Sequence, residues 1–304
     1  MTLTTRWRLL GMSLLVMQLA ACVTFNDRQE HTTLAPATYR KASWALVLGS
    51  GCMRGLAHIG VLQVLEQHGL APDLIVGCSA GAVIGGAWAA GLSADAIEAL
   101  ARKVDDQAMP GFTDLKLPDS ERWLGMQTPA MRRWLPESMR QMTFAAMPRR
   151  FVAVATDLDS GEALAIGQGH LATALEASTA IAGWMSPPTV LWQGQRKVLV
   201  DCAVSAPLPV AIARALGAER VVAVDVAYEP QEARVRTPWG SFLQAFHIAL
   251  LHLRTHAAKQ ADVVIRPDMA INVEADDPLT QWAHSGRRAA LQALGALQTL
   301  VSSH

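Results

Sequence analysis

Two short apolar runs in this sequence are each stopped by a glycine turn and followed at once by a helical stretch. That order of strand, turn and helix leaves few architectures open. The first run is Trp44 to Leu48, ended by Gly49-Ser50-Gly51 and followed by Leu56, Ile59, Leu62, Val64 and Leu65 at roughly helical spacing until Gly69. The second, Asp73 to Val76, runs into Gly77-Cys78-Ser79-Ala80-Gly81 and the small-residue helix Ala80 to Ala90. Further strands are expected at Phe151 to Ala155, Glu162 to Ile166, Val198 to Val200, Val221 to Val226 and Val263 to Ile265. Helices are expected from Ser93, and over His170 to Ile181, Pro207 to Leu216, Phe242 to Lys259 and Gly286 to Leu300. Strands alternating with helices imply an α/β domain of three layers, α/β/α, around a mainly parallel central sheet. A chain of 304 residues that is 51% hydrophobic has ample material for such a core.

The N-terminus reads differently. Arg6 and Arg8 precede the apolar run Leu9 to Ala21, which ends Leu19-Ala20-Ala21-Cys22. A run this short, with cations before it and small residues at its end, has the pattern of a secretory signal rather than a membrane span. Its end resembles a bacterial lipobox, which makes Cys22 the expected lipidation site and the first mature residue. The resulting division is a signal peptide over 1–21, a tether over 22–42 and a single catalytic domain over 43–304. The expected location is the cell envelope, lipid-anchored, on the periplasmic face of the outer membrane. Lysine plus arginine balance aspartate plus glutamate at 26 each, so charge gives no argument for a nucleic-acid partner.

Within the domain, residues 104–150 break the alternation. Pro110, Pro118, Pro129, Pro136 and Pro148 punctuate a stretch carrying Trp123, Met126, Met131, Trp134, Met139, Met142 and Met147 among Arg132, Arg133, Arg140, Arg149 and Arg150. Adaptable apolar side chains beside cations suit a lid that opens against anionic lipid, or equally an irregular subdomain packed on the core. Trp184 and Met185, near Pro187 and Pro188, suit the lining of an acyl groove or plain core packing.

Gly77-x-Ser79-x-Gly81 between a strand and a helix is the setting of a nucleophile turn. A serine hydroxyl needs a base. Of the nine histidines, His58 and His68 fall in the first expected helix, His170 begins another, and His247, His252 and His256 lie within a long apolar one. His284 is the one late histidine expected on a loop, apart from the terminal His304. Asp201 is the other candidate, since it ends the strand Val198 to Val200 and catalytic groups of open sheets gather at strand ends. The loop Gly51, Cys52, Met53, Arg54 offers backbone N–H groups at a helix start, as an oxyanion requires. The same loop lacks the Gly-Lys-Ser/Thr of a P-loop and the third glycine of a dinucleotide fingerprint.

Three stretches in this order, LGSGCMRGLAHIGVLQVLEQHG, IVGCSAGAVIGG and LVDCAVSAPLPV, together with VAVATDLDSGEALAI and LEASTAIAGWMSPP, resemble the patatin-like phospholipase family, especially its bacterial lipoprotein branch. The resemblance implies a Ser79–Asp201 dyad without a catalytic histidine. Gly51, Cys52 and their neighbours would form the oxyanion loop. It also implies hydrolysis of phospholipid or lysophospholipid esters at a membrane. No metal or organic cofactor is expected.

Two positions depart from the family pattern. Cys52 stands where the loop usually has glycine or alanine, and Cys202 where glycine usually follows the aspartate. A positive φ at Cys202 would strain the chain there and displace Asp201. The departures leave open a catalytically weakened protein of the same fold that binds lipid or a partner. They also raise an expectation of a redox-sensitive pair between Cys52 and Cys202, with Cys78 as competing partner.

Overall fold

The computed structural model describes residues 32–103, 135–182, 185, 187–227, 229, 238–269 and 277–302. In chain order its elements are β1 (Thr33–Pro36), β2 (Ala42–Leu48), α1 (Ala57–Gln67), β3 (Leu74–Cys78), α2 (Ala80–Ala89), α3 (Ala94–Ala101), the single turn α4 (Glu137–Arg140), β4 (Phe151–Asp157), β5 (Ala163–Gln168), α5 (Leu171–Thr179), β6 (Thr189–Trp192), β7 (Gln195–Asp201), α6 (Val210–Ala215), β8 (Ala218–Val224), α7 (Pro238–Ala258), β9 (Val263–Ile265) and α8 (Pro278–Ser302). Short 3-10 turns lie at Cys52–Leu56, Phe144–Ala146 and Cys202–Val204.

Strands buried on both faces have no polar side to show, which is why β2 and β3 read as unbroken apolar runs. Alternate residues of β2 divide between two cores. Trp44, Leu46 and Leu48 join the one built with α1, α2 and α8. Ala45 and Val47 join the one built with α6. The result is the expected three-layer α/β/α arrangement. Five strands are parallel in the order β9-β8-β2-β3-β4. Leu48 is in register with both Gly77 and Val224, so β2, β3 and β8 end at one level and release their loops together.

The other half of the sheet is built differently. β4 pairs with β5, β5 with β1, β1 with β6, β6 with β7, and β7 with β4 again, so these five strands close a ring in which only the β1–β6 pairing is parallel. On β4, Val154 faces Cys78 of β3 and the next residue, Ala155, faces Asp201 of β7. The opposite edge of both residues is occupied by β5. β3 and β7 therefore lie along the same edge of β4, running toward each other and meeting end to end.

Helices α1 and α8 cross at very short range. A Cβ on Gly60 would fall 1.8 Å from the Ala283 carbonyl, and one on Gly286 would fall 1.8 Å from the Ala57 carbonyl. Glycine is required at both positions for the backbones to touch.

Several expectations change. Residues 33–36, expected within the tether, form β1, and Leu34 is fully buried. Strand β6 was not anticipated. Helix α8 begins at Pro278, so His284 is an exposed helix residue rather than a loop residue. Of the 104–150 insertion, residues 104–134 lie outside the described residues, as do Trp184 and residues 1–31. The rest of the insertion is packed: Leu135 and Met139 are buried, and Met142 and Met147 lie against the core. Its arginines serve the fold. Arg149 stacks over Trp88 at 4.8 Å from the ring centre. Arg150 donates to the carbonyls of Arg40, Thr38 and Leu216.

Candidate active site

The turn between β3 and α2 holds Ser79 at φ 54°, ψ −121°, a conformation that an L-residue adopts only under constraint, at a cost of about 1 to 3 kcal/mol. The flanking glycines do not carry the positive φ. They permit close approach instead. A Cβ on Gly77 would lie 2.5 Å from the Ala82 Cα, and one on Gly81 would lie 2.2 Å from the Leu48 carbonyl oxygen. The Ser79 N–H donates to Ser178 Oγ of α5 at 3.0 Å, which fixes the elbow from behind.

Ser79 Oγ donates to Asp201 Oδ2 at 2.7 Å. Both residues are buried, at 6% and 5% exposure, so the bond is shielded from bulk water. Asp201 is held through its backbone: its N–H donates to the Ala180 carbonyl at 2.8 Å, and Thr156 Oγ1 donates to its carbonyl at 3.0 Å. Its second carboxylate oxygen accepts from the Ala203 N–H at 2.8 Å. Burial raises its pKa to about 6 against the opposing pull of the Ser79 and Ala203 hydrogen bonds. The meeting of the two residues was anticipated, but the route was not. Asp201 arrives on an antiparallel strand, facing the nucleophile turn head on.

The loop after β2 enters a 3-10 turn at Cys52. Among the described residues no acceptor meets the N–H groups of Gly51, Cys52 and Met53, whereas the Arg54 N–H donates to the Gly51 carbonyl at 3.0 Å. Arg54 is therefore removed from the expected set of free amides. The loop rests directly on the serine elbow, since a Cβ on Gly55 would fall 2.3 Å from the Ala80 Cβ. On the other side Gly51 lies against Val226, whose Cγ2 would be 2.7 Å from an added Cβ. His58 Nε2–H donates to the Gly49 carbonyl at 2.9 Å, and the ring is fully buried. Burial lowers its pKa to about 4 against the opposing pull of that hydrogen bond, so the imidazole is neutral at pH 7.

Of the cysteine pairings expected, the competing one forms. Cys202 is bonded to Cys78, not to Cys52, and Cys52 is a free thiol. Its thiol pKa is pushed up by burial, with the charge of Asp201 adding and that of Arg54 opposing, so it stays protonated. Cys202 does not have the positive φ that would have strained it, whereas Cys52 does, at 50°. Cys202 starts a 3-10 turn and leaves Asp201 undisplaced. Cys78, Asp201 and Cys202 are the one grouping with metal-ligand spacing among the described residues, but disulfide sulfurs are not thiolate ligands.

Ser178, Thr156 and Ala180 were missed by sequence reasoning. Each acts through a neighbour's backbone, and no local motif announces that. The EASTA segment around Ser178 carried only the family resemblance.

A three-layer α/β sheet with a strained serine hydrogen-bonded to a buried aspartate, and no histidine between them, defines a class of serine–aspartate proteins distinct from the triad hydrolases. The chain belongs to the patatin-like phospholipase family, whose model matches residues 46–214, more than half of it. It is 30% identical over 229 residues to human "Patatin-like phospholipase domain-containing protein 6", covering 74% of this chain and 16% of that protein. It is 33% identical over 187 residues to an "Uncharacterized NTE family protein" of Mycobacterium tuberculosis, covering 60% of this chain and 48% of the relative. The chain thus spans from about a sixth to about half the length of these relatives. Among solved structures, VipD from Legionella pneumophila superposes with a TM-score of 0.51 at 12% identity, over 91% of this chain and 72% of that one, a likeness of fold.

Proposed function

We propose that this protein is a serine acyl-ester hydrolase acting on phospholipids or lysophospholipids, with Ser79 as nucleophile and Asp201 as base. The reading rests above all on the buried 2.7 Å hydrogen bond from the strained Ser79 to Asp201. Ser79 Oγ attacks the ester carbonyl as its proton passes to Asp201. The N–H groups of Gly51, Cys52 and Met53 stabilise the oxyanion, a contribution commonly worth about 3 to 4 kcal/mol for one donor. Asp201 then returns the proton to the leaving alcohol, and water attacks the acyl-enzyme with Asp201 again as base. A carboxylate with a pKa near 6 is a stronger base than an exposed one and is still ionised at neutral pH. A lipidated Cys22 would hold the enzyme at the membrane that supplies its substrate, a reading supported by Leu19-Ala20-Ala21-Cys22.

The test is turnover of a short-chain ester by the wild type, Ser79→Ala and Asp201→Asn. Each variant is expected to lose at least about 10³-fold in kcat. In the wild type, kcat/KM should rise as pH passes through about 6, because the base must lose its proton. Background rates equal in all three proteins would instead favour a lipid-binding or partner-binding protein, the reading supported by the non-glycine Cys52 at positive φ in the oxyanion loop.

A further inference from the structure

We infer that the Cys78–Cys202 disulfide is a positioning element of the dyad, a covalent tie that sets the distance between nucleophile and base. Cys78 immediately precedes Ser79 and Cys202 immediately follows Asp201, with their Cα atoms 5.7 Å apart. The inference rests on the roles proposed above for Ser79 and Asp201.

The need for a tie follows from the sheet. β3 pairs with β2 and β4, while β7 pairs with β4 and β6, and no ladder hydrogen bonds join β3 to β7. The two strands are laid end to end along β4, so pairing fixes each against β4 and leaves the gap between their tips to other contacts. In a triad a histidine spans nucleophile and acid. Here one hydrogen bond spans them directly, and a small change in the gap changes that bond at once. Misplacement of about 1 Å can cost on the order of 10²-fold in rate.

The other contacts across the gap are hydrogen bonds, running through Ser178 and Ala180 at the end of α5. Ser79 is tied to Ser178, and Asp201 to Ala180, Thr156 and Ala203. The disulfide is the covalent link across the gap. Both half-cystines are fully buried in the apolar cluster with Val76, Val154 and Leu208. A buried bridge is slow to meet reductants. It therefore acts as a permanent brace in the folded protein and is opened only when the core is loosened.

Opening is a two-electron reduction. A dithiol reductant attacks one sulfur through its thiolate and releases the other protein sulfur; its second thiolate then attacks the reductant sulfur of the mixed disulfide and releases the second protein thiolate. Two protein thiols and one cyclic disulfide of the reductant result, with both protons supplied by the dithiol.

The experiment compares three forms of the full chain: oxidised wild type, wild type opened with dithiothreitol in moderate urea and returned to native buffer without oxidant, and Cys78→Ala/Cys202→Ala. A non-reduced digest first establishes the linkage, and recovery of residues 78 and 202 as thiols from the untreated protein would overturn the proposal. With the bridge absent, kcat should fall about 10- to 100-fold while KM changes less than about twofold. The acid limb of kcat/KM should move to lower pH as water reaches Asp201, and reoxidation of the opened wild type should restore both. A purely structural bridge gives a lower melting temperature with kcat and acid limb unchanged in both bridge-free forms, and that result refutes the inference. Ser79→Ala runs alongside in the oxidised state. If it matches the wild type, the hydrolase reading fails and takes this inference with it. A Ser79-dependent wild type whose bridge-free forms retain kcat and acid limb removes this inference alone.

Discussion

The parallel half of the sheet and its ring half supply different parts of the site. β2 and β3, with a helix after each, provide the amide loop and the nucleophile at aligned strand ends. The ring of β4, β5, β1, β6 and β7 provides Asp201, the base of the proposed mechanism, delivered from the opposite direction. The parallel half is what doubly wound sheets ordinarily use to build sites. The ring half shows how an aspartate on an antiparallel strand can reach the same point, provided that its strand abuts the nucleophile strand rather than pairing with it.

The sharpest way to break the parallel half is Gly81→Ala. The added Cβ would lie 2.2 Å from the Leu48 carbonyl oxygen and 2.7 Å from that of Gly49, backbone atoms that cannot swing aside as a side-chain end can. A loss of about 4 kcal/mol in unfolding free energy is expected in a urea titration, and a loss below about 1 kcal/mol would mean that the elbow can shift off β2. In the ring half the matching change is Leu34→Ala on β1. Its fully buried side chain should cost about 3 kcal/mol by the same measurement. If the ring serves the site only by carrying Asp201, this variant should keep the wild-type acid limb at temperatures where it remains folded.

The smallest effect is expected at the seam, and its sign is opposite. Asp201 has a pKa of about 6 in the folded chain against an ordinary value of 3.8. The folded state therefore holds its proton more tightly than the unfolded state, and stability falls as pH rises from about 4 to about 6. Above that window the ionised carboxylate costs roughly 2 to 3 kcal/mol, by the usual conversion of pKa shift to free energy. Asp201→Asn should then raise stability by about 2 kcal/mol at pH 7 and by close to nothing at pH 3.5. Equal gains at both pH values would show that the aspartate's charge is not what costs.

The two halves also differ in how far they could be read from sequence. Leu46, Leu48, Ile75 and Val76 are apolar in succession because helices cover both faces of their strands, and such runs stand out in a single sequence. Ser93 likewise announced α3, where its side chain accepts from the Ala96 N–H at 3.2 Å. β1 and β6 are four residues each; β1 takes both partners from distant parts of the chain, while β6 pairs with distant β1 and, across Gln193 and Gly194, with the adjacent β7. Four residues carry little periodicity, so Thr33–Pro36 read as tether. Ser79 and Asp201 were legible because each ends a recognisable strand. The choice of Cys78 over Cys52 as the partner of Cys202 was not, because it depends on β3 and β7 abutting along β4, and nothing local encodes that.

The crossing of α1 and α8 bears on where this domain can be cut. The family match ends at residue 214, before β8, which borders β2, and before α8, which meets α1 through Gly60 and Gly286. α1 continues directly from the 3-10 turn at Cys52–Leu56, so α8 braces the amide loop from outside the matched stretch. A fragment ending at 214 would retain Ser79 and Asp201 while exposing one edge of β2 and the buried flank of α1. The residues that make the chain recognisable are fewer than those that keep its loop in place.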